Sequence, residues 1–416
     1  MVRTTTIQCE YCNKKILTRF QIGYYDIPFA FYCNCGVTIE GCLNFENGKF
    51  DLTNAKEIET DFDDIDYYIN LSSEFYCRKM APFKGIEDML SNGMTPFMIS
   101  INCFDGENSI ISAGEKMSEF DNFKKDIWPR VKPLYELLFN GHYELIKEKI
   151  DKFPILLNVE NELDAYMTLH QIVVVNLSNL FKEKVLESYI SIAKDIFCSD
   201  KINEINEFIK FLKTRMNFNT LSKKIFQIYS EWIDNFYKYL PIVYMSFAEH
   251  GDYLDKKQYG ISTISFDELK SFYEKSYELI LEMLAFIVGL NNIFERCDFN
   301  SFYDGSNVKD FDSYMKLTKY NRINAVFDGD MFSKCLSLNR NARNSIAHFD
   351  YEYDKATQLI TFYDRHKDKY SESKLYLRDL AELCFDNLRL IMYINELFYA
   401  IRKIDYINAG NTIHVK

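Results

Sequence analysis

The sequence predicts an α+β protein that is mostly α, and three observations support this fold class. Over residues 1–125, short extended runs such as FAFYCNCGVTIEG alternate with turn residues, which is typical of β-structure. From about residue 126 onward, apolar residues recur three and four apart, as in VKPLYELLFNGHYELIKEKI, which predicts amphipathic helices. A charged segment with two glycines, AEHGDYLDKKQYGIST, interrupts this pattern at 248–263. We therefore predict a β-rich region (1–125), a helical middle region (126–255) and a C-terminal helical domain (256–416).

The elements within these regions follow from the same patterns. In the first region, DYYINLSSEFYCRKM and TPFMISINCFDGENS are also predicted to be extended. In the last region we expect a long helix over 266–296, a loop containing DGS, and a helix that ends near residue 348. A hairpin over YEYDKATQLITFYDR and a final helix from about 374 to 404 complete the prediction.

Bulk composition excludes several classes of protein. No apolar run approaches the ~18 residues of a membrane span, so we expect no membrane association. The N-terminal MVRTTTIQCEYC lacks the apolar core of a signal peptide, and 11 cysteines without a secretion signal indicate the reducing cytoplasm. The net charge of −12 argues against a general nucleic-acid coat protein, but it leaves room for a local basic cleft.

Two tight cysteine pairs stand near the N-terminus, in CEYC and CNCG. Turns of this kind aim two thiolates at one ion, and two such pairs close a tetrahedral site. Gly36, directly after the second pair, suits the backbone conformation of such a turn. We predict one structural zinc ion in a zinc-ribbon-like region with little core of its own, and its four ligands are Cys9, Cys12, Cys33 and Cys35.

Two alternatives to this metal site stay open. The second pair has only Asn34 between its cysteines instead of the usual two residues, so Cys42 is a possible substitute ligand. In the second alternative, the four residues form no metal site and are unrelated buried cysteines, as other cysteines of the chain are expected to be.

A second motif, RNSIAHFD, ends a predicted helix at residues 343–350. At 3.6 residues per turn, an apolar stripe forms that we expect to face the core, made of Cys335, Leu338, Ala342, Ile346 and Phe349. Arg340, Asn344 and His348 lie on the opposite face, with Arg343 beside them. Such residues are also what an ordinary polar helix face presents, so the pattern alone does not prove a site.

This set of side chains suits RNA cleavage without a metal. A histidine both takes and gives protons near neutral pH, and a guanidinium binds phosphate oxygens with two parallel hydrogen bonds. Arg343 and His348 are five residues apart, roughly 140° around a helix, so either the last turn is distorted or two copies share one cleft. Between Lys309 and His348, seven basic residues stand against four acidic ones, which favours a focused RNA site that includes Arg340 and Lys334.

Arg343-Asn344-x-x-x-His348, at the end of a helix in a C-terminal helical region, resembles the signature of the HEPN superfamily. The preceding SYELILEMLAFIVGLNNIFER is similar to the family's first helix, and the resemblance covers about 264–405. It implies a HEPN helical bundle with metal-independent endoribonuclease activity, in which Arg343 and His348 are catalytic, Asn344 supports them and two subunits pool their motifs.

The resemblance also implies a biological setting. HEPN nucleases with extra domains are often abortive-infection toxins, including the ApeA-like anti-phage group. Heavy use of Ile, Asn, Lys, Tyr and Phe indicates an AT-rich, bacterial genome. The expected partners are an RNA substrate (transfer RNA is one candidate), a second copy bound through the C-terminal domain, and a phage-derived trigger protein sensed by the N-terminal region.

The leading alternative is a non-catalytic HEPN-like module that binds RNA or serves only dimerisation and scaffolding. Nucleotide transfer or nucleotide sensing ranks lower, because the sequence has no glycine-rich phosphate loop and no paired-aspartate nucleotidyltransferase motif.

Overall fold

The structure is a computed structural model of the 416-residue chain. It describes all residues except 93, 151–152, 154–156, 183–184, 325–328, 330, 332–341, 343–345, 347–349, 367–368 and 416. The described chain is mostly helical, with a β-rich N-terminal region followed by helices, which confirms the predicted fold class.

Nine strands form the N-terminal region. They are β1 Val2–Cys9, β2 Lys15–Gln21, β3 Ile27–Tyr32, β4 Thr38–Leu43, β5 Phe50–Thr53, β6 Ala55–Ile58, β7 Tyr67–Ser72, β8 Cys77–Arg78 and β9 Ala81–Pro82. A five-stranded sheet has the order β6-β1-β2-β7-β9, in which only β2 and β7 are parallel. A second, antiparallel sheet has the order β3-β4-β5. Alternate residues of β3 are buried, as expected for a strand with one face in a core, whereas β7 is buried at nearly every position.

The two N-terminal sheets share one apolar core. Phe20 of β2 contacts Phe29 of β3 edge to face, with ring centroids 5.5 Å apart. The core is made of Ile7, Cys9, Ile16, Phe20, Ile27, Phe29, Phe31, Cys33, Ile39, Leu43, Ala55, Ile69 and Leu71. The prediction that this region has little core was therefore wrong, because β-strands far apart in sequence pool their buried faces.

The helices begin earlier than predicted. Residues predicted as the extended run TPFMISINCFDGENS instead form α2 Pro96–Ser100, a 3-10 turn at Ile101–Cys103 and the start of α3 Glu107–Asn122. Thr95 caps α2, since its hydroxyl accepts a hydrogen bond from the Met98 N–H at 3.4 Å, and Pro96 occupies the first turn.

The other helices in the described part of the chain are α1 Ile86–Asn92, α4 Trp128–Phe139, α5 Tyr143–Ile150, α6 Glu162–Ser178, α7 Val185–Phe197, α8 Ile202–Arg215, α9 Phe218–Asp234, α10 Phe236–Met245, α11 Phe266–Arg296, α12 Phe311–Lys316, α13 Lys319–Asn324 and α14 Leu377–Asn408. The predicted long helix over 266–296 matches α11. A short strand, β10 Tyr259–Gly260, pairs with β8 in antiparallel orientation. The predicted hairpin is present as β11 Tyr351–Asp354 and β12 Leu359–His366. A third strand, β13 Lys369–Tyr376, extends it, so the last helix begins at 377 and not at 374.

The chain divides into two compact units. The first combines Met1–Met117, Asp234–Glu274 and Asn339–Phe385, and the second combines Ser118–Ile233, Lys275–Leu338 and Asp386–Lys416. Each unit is thus assembled from three stretches of chain. The division into 1–125, 126–255 and 256–416 describes composition along the sequence and stays a prediction.

The core of the second unit is helical and rich in aromatic side chains. Phe286 of α11 contacts Phe398 of α14, with centroids 5.0 Å apart, and Phe218 of α9 contacts Phe398 at 5.4 Å. Gly289 of α11 allows the ring of Phe208 to approach closely, because a Cβ at this position would lie 2.1 Å from a ring carbon. Among the described residues, α11 is the one helix with the length and apolarity of a membrane span, but 83% of its most apolar window is buried, as in a core helix.

Candidate metal centre

The four predicted ligand cysteines come together at one end of the two N-terminal sheets. Their sulfur atoms all lie within 4.8 Å of one another. Cys9 is the last residue of β1 and Cys12 lies in the following turn, while Cys33 and Cys35 lie in the turn between β3 and β4. Cys42 lies on β4 and is not part of this cluster.

The spacing of the sulfur atoms is compatible with a tetrahedral thiolate site. The Sγ atoms of Cys9 and Cys35 are 3.8 Å apart, and those of Cys12 and Cys33 are 3.4 Å apart. Four Zn–S bonds of about 2.3 Å in a tetrahedron place the sulfurs about 3.8 Å apart, whereas a disulfide requires about 2.05 Å. Each close pair joins one cysteine of the first turn to one of the second, so an ion bound here would connect the two sheets.

The backbone of both turns is built to present the sulfurs. In the first turn, the Asn13 N–H donates to the Cys9 carbonyl at 3.0 Å, and Asn13 has a left-handed φ of 60°. In the second, the Gly36 N–H donates to the Cys33 carbonyl at 2.8 Å, and Gly36 has a φ of 88°. Glycine adopts that conformation without steric cost, as predicted. The single residue between Cys33 and Cys35 is thus compatible with convergence of the sulfurs.

Without a cation, the environments of Cys33 and Cys12 favour the protonated thiol, whereas that of Cys9 favours the thiolate. Burial raises the pKa of Cys33 well above its usual value, and neighbouring thiols add to the rise. Burial also raises the pKa of Cys12. For Cys9, burial opposes ionisation, but hydrogen bonds from the backbone N–H groups of Cys12 and Tyr11 outweigh it and hold the pKa below its usual value. A bound divalent cation would make ionisation of these crowded thiols favourable, because a coordinating thiol is deprotonated outright.

Cys42 has a different environment, and this bears on its role as a substitute ligand. Its thiol is half-buried on β4, and burial raises its pKa to about 11, with Asp26 and Asp51 adding to the rise. The four clustered cysteines are accordingly the better candidates.

Lys355, which no sequence pattern singles out, lies beside the second turn. The Lys355 ammonium donates a hydrogen bond to the Gly36 carbonyl at 3.2 Å and lies over the Tyr32 ring, 4.7 Å from its centroid. Both Lys355 and Gly36 belong to the first unit. No local signal links two positions that are 319 residues apart, so only the fold reveals the contact.

The predicted RNA-cleaving residues are not among those that the structure describes. Arg343, Asn344 and His348 lie outside the described residues, as do Arg340 and Lys334. Two positions of the predicted apolar stripe are described: Ala342 and Ile346 are helical, with exposures of 1% and 0%. The placement of the motif therefore stays a prediction. The burial of Ala342 and Ile346 agrees with the apolar stripe predicted for the same helix.

Comparisons with known proteins assign no family to this fold and site. No family model, no curated protein and no solved structure matches the chain.

Proposed function

We propose that this chain is a cytoplasmic endoribonuclease of the HEPN type that cleaves cellular RNA in bacterial anti-phage defence. The observation that carries the proposal is the motif Arg343-Asn344-x-x-x-His348, which is interleaved with two buried helical positions, Ala342 and Ile346. Residues between core positions of a helix project toward another side, so the motif is expected to present its polar groups away from the core.

The proposed chemistry needs no catalytic metal. His348 exchanges a proton with the RNA, either at the attacking 2′-hydroxyl or at the leaving 5′-oxygen. Arg343 stabilises the charge that develops on the phosphorus oxygens, and Asn344 orients one of these partners. A second subunit contributes the same groups, because five residues on one helix separate Arg343 from His348 by roughly 140°.

The test is cleavage of RNA by the purified full-length chain. A 2′-hydroxyl nucleophile predicts products with a 2′,3′-cyclic phosphate and a 5′-hydroxyl, with no cleavage of DNA of the same sequence. Activity should persist in EDTA under conditions that leave the zinc content unchanged. Cleavage of DNA at a comparable rate, or loss of activity with zinc retained, would contradict this mechanism.

The alternative is a non-catalytic HEPN-like module that binds RNA or holds two subunits together. It predicts RNA binding or dimerisation without any cleavage that depends on His348. Sequencing RNA ends after expression in a bacterial host separates the two, because only a nuclease produces new, recurrent 5′ ends that vanish in a His348→Ala strain.

We further propose that Cys9, Cys12, Cys33 and Cys35 bind one structural zinc ion. The support is the mutual sulfur distances of at most 4.8 Å and the buried position of two of the four thiols. Four thiolates fill a tetrahedral zinc site and leave no position for a reacting water, so the role is structural. Because the two sheets have their own apolar core, metal loss is expected to loosen the two turns more than to unfold the whole region.

Metal analysis of the purified chain tests the zinc proposal. About one zinc per chain is expected, and Cys35→Ser should reduce it severalfold by removing one of four ligands. Cys198→Ser is the matched control, since Cys198 is an exposed cysteine outside the cluster. Equal zinc content in the Cys35 and Cys198 variants would rule out this ligand set.

A further inference from the structure

A cavity lies in the first unit beside the second cysteine turn. Its volume is about 460 Å³, within the range of pockets that bind small ligands. The walls come from separate stretches of the unit: 31–36, 67–69, 77–82, 260–262 and 354–358. The cavity is therefore a product of the fold, and no sequence motif marks it.

The charged side chains of the wall are mainly basic. Arg78, Lys79 and Lys355 line the cavity together with a single carboxylate, Asp354. That carboxylate is engaged by its own turn, since it accepts hydrogen bonds from the Ala356 N–H at 3.0 Å and the Thr357 hydroxyl at 2.7 Å. In a chain of net charge −12, this concentration of positive charge selects an anion.

Among these basic side chains, Lys79 gives the strongest indication that the cavity binds an anion. Its ammonium donates to the main-chain carbonyls of Lys256, at 2.8 Å, and Thr357, and it lies over the Tyr376 ring at 4.7 Å. Among the described residues, no carboxylate lies within ion-pair distance of it. Burial, with a contribution from Arg378, lowers the pKa of Lys79 to about 8. An ammonium held in this way gains from an anion more than an exposed lysine does.

Two further groups complete the wall. The Ser262 hydroxyl is buried, with 5% of the residue exposed, and it has no hydrogen-bond partner of good geometry among the described residues. Its neighbour is the thiol of Cys77, which is a weak partner. Lys355 is exposed and is held against Tyr32 and Gly36, which positions a second ammonium at the cavity.

We propose that this cavity binds a small phosphate-bearing ligand of about mononucleotide size. Lys79 and Lys355 contact the phosphate oxygens, and Ser262 supplies a buried hydroxyl whose neighbouring partner is only the weak Cys77 thiol. Several cations and a hydroxyl from different directions match a multiply charged anion with several oxygens better than a single carboxylate. The proposal is independent of the nuclease activity, because it concerns binding alone.

Lys355 also has a different explanation, which the test must separate. A zinc–tetrathiolate centre has a net charge of about −2, and a lysine beside its second turn offsets part of that charge. Lys79 does not share this explanation, because its ammonium is bonded to the carbonyls of residues 256 and 357. Loss of zinc and loss of ligand binding are therefore measured on the same variants.

The experiment is calorimetric titration of the zinc-loaded, full-length chain with adenosine monophosphate, inorganic phosphate and adenosine. Adenosine monophosphate is expected to bind with a Kd below about 1 mM, and adenosine at least about 10-fold more weakly, because it lacks the phosphate. Phosphate alone should compete with the nucleotide. No binding of either phosphate compound up to about 10 mM, or equal binding of adenosine, would overturn the proposal.

Variants locate the binding. Lys79→Met and Lys355→Met should each weaken nucleotide binding by about 10-fold or more, the scale of a lost charge-assisted hydrogen bond, and Ser262→Ala by severalfold. Lys210→Met, which removes an exposed lysine on α8, should leave the affinity unchanged. Circular dichroism checks folding. If Lys79→Met is unstable, the Lys355 and Ser262 variants show whether the ligand binds in this cavity. Unchanged affinity in those two variants, with zinc content retained, would place any binding elsewhere and refute the assignment.

Discussion

Removal of the His348 imidazole is expected to slow RNA cleavage by about 100-fold or more, because a positioned acid–base group contributes on that scale. Arg343→Ala should do comparable damage by removing charge stabilisation at the phosphorus. Neither change should unfold the protein, since both residues are predicted to lie away from the stripe to which the buried Ala342 and Ile346 belong. Initial rates on a labelled RNA measure the effect, and His142→Ala, at an exposed position, is the control. A His348 variant with full activity would remove the basis of the proposed mechanism.

The pH dependence of ligand binding follows from Lys79. Its pKa is lowered from 10.5 to about 8, so the ammonium is present below pH 8 and lost above it. The phosphate of adenosine monophosphate is already doubly charged there, because its second pKa is about 6. The charged groups that act on Lys79 are Arg378 and the carboxylates Asp255, Asp354 and Asp379. Affinity should therefore fall as pH rises through about 8, and this step should vanish in Lys79→Met but persist in Lys355→Met.

The lowered pKa of Lys79 also affects stability, which should rise with pH over the range in which ligand affinity falls. A lysine whose pKa is lower in the folded state favours unfolding while it is protonated in both states, which holds below about pH 8. As pH rises from about 8 toward 10.5, the unfolded chain binds more protons, so the contribution of Lys79 to the free energy of unfolding increases. Comparing urea midpoints of the parent chain and Lys79→Met across this range isolates that contribution.

At the scale of elements, the contact between α8 and α11 gives a sharp prediction. Gly289→Ala would place a methyl group 2.1 Å from a ring carbon of Phe208, which is fully buried. The expected loss is about 1–3 kcal/mol in the free energy of unfolding, the range for overpacked cores. Gly114→Ala, in α3, is the comparison, because its nearest contact is the hydroxyl of Tyr244 at 3.2 Å, and it should change stability by less than about 1 kcal/mol. Similar urea midpoints for the two variants would show that the core around Gly289 adapts.

Some elements were predictable from the sequence because local signals decide them. The helix α11 follows from an unbroken run of helical periodicity, and its bounds agree with the prediction. The segment that begins at Thr95 shows the opposite case: apolar and aromatic residues in TPFMIS suggested a strand, but a threonine cap followed by proline starts a helix. Capping chemistry outweighed the apolar composition at this site.

The candidate sites divide in the same way. Paired cysteines at short spacing predict a metal centre, and the fold brings all four together as expected. The cavity beside them could not be predicted, because Lys79, Ser262 and Lys355 lie in three distant stretches of the chain. Their convergence depends on the pairing of β8 with β10 and on the position of the β11–β12 hairpin within the unit. The hairpin itself was predicted, but no local pattern shows that β8 pairs with a strand about 180 residues later, or that the hairpin lies beside the cysteine turns.

For the whole molecule, the proposed cleft requires two copies of the chain. We expect a homodimer through the C-terminal region, with two RNSIAH motifs near each other. Sedimentation velocity at micromolar concentration, run beside the cleavage assay, measures this. A particle that stays monomeric while it cleaves RNA at full rate would exclude a shared cleft, and mixing Arg343→Ala with His348→Ala chains should restore part of the activity if each cleft combines residues from both subunits.

Gly36 and Lys355, which are joined by a hydrogen bond, are synthesised at widely separated times because they lie 319 positions apart. At about 5–20 residues per second, a ribosome needs on the order of 16 to 60 s to make the 319 positions that separate the two residues. The four cysteines and most strands of the first two sheets leave the ribosome long before that, and these sheets have a core of their own. A nascent chain therefore has time to bind the proposed zinc ion while residues 343–348 have not yet been translated. If the zinc proposal holds, zinc shortage would affect the growing polypeptide before the proposed ribonuclease motif has been made.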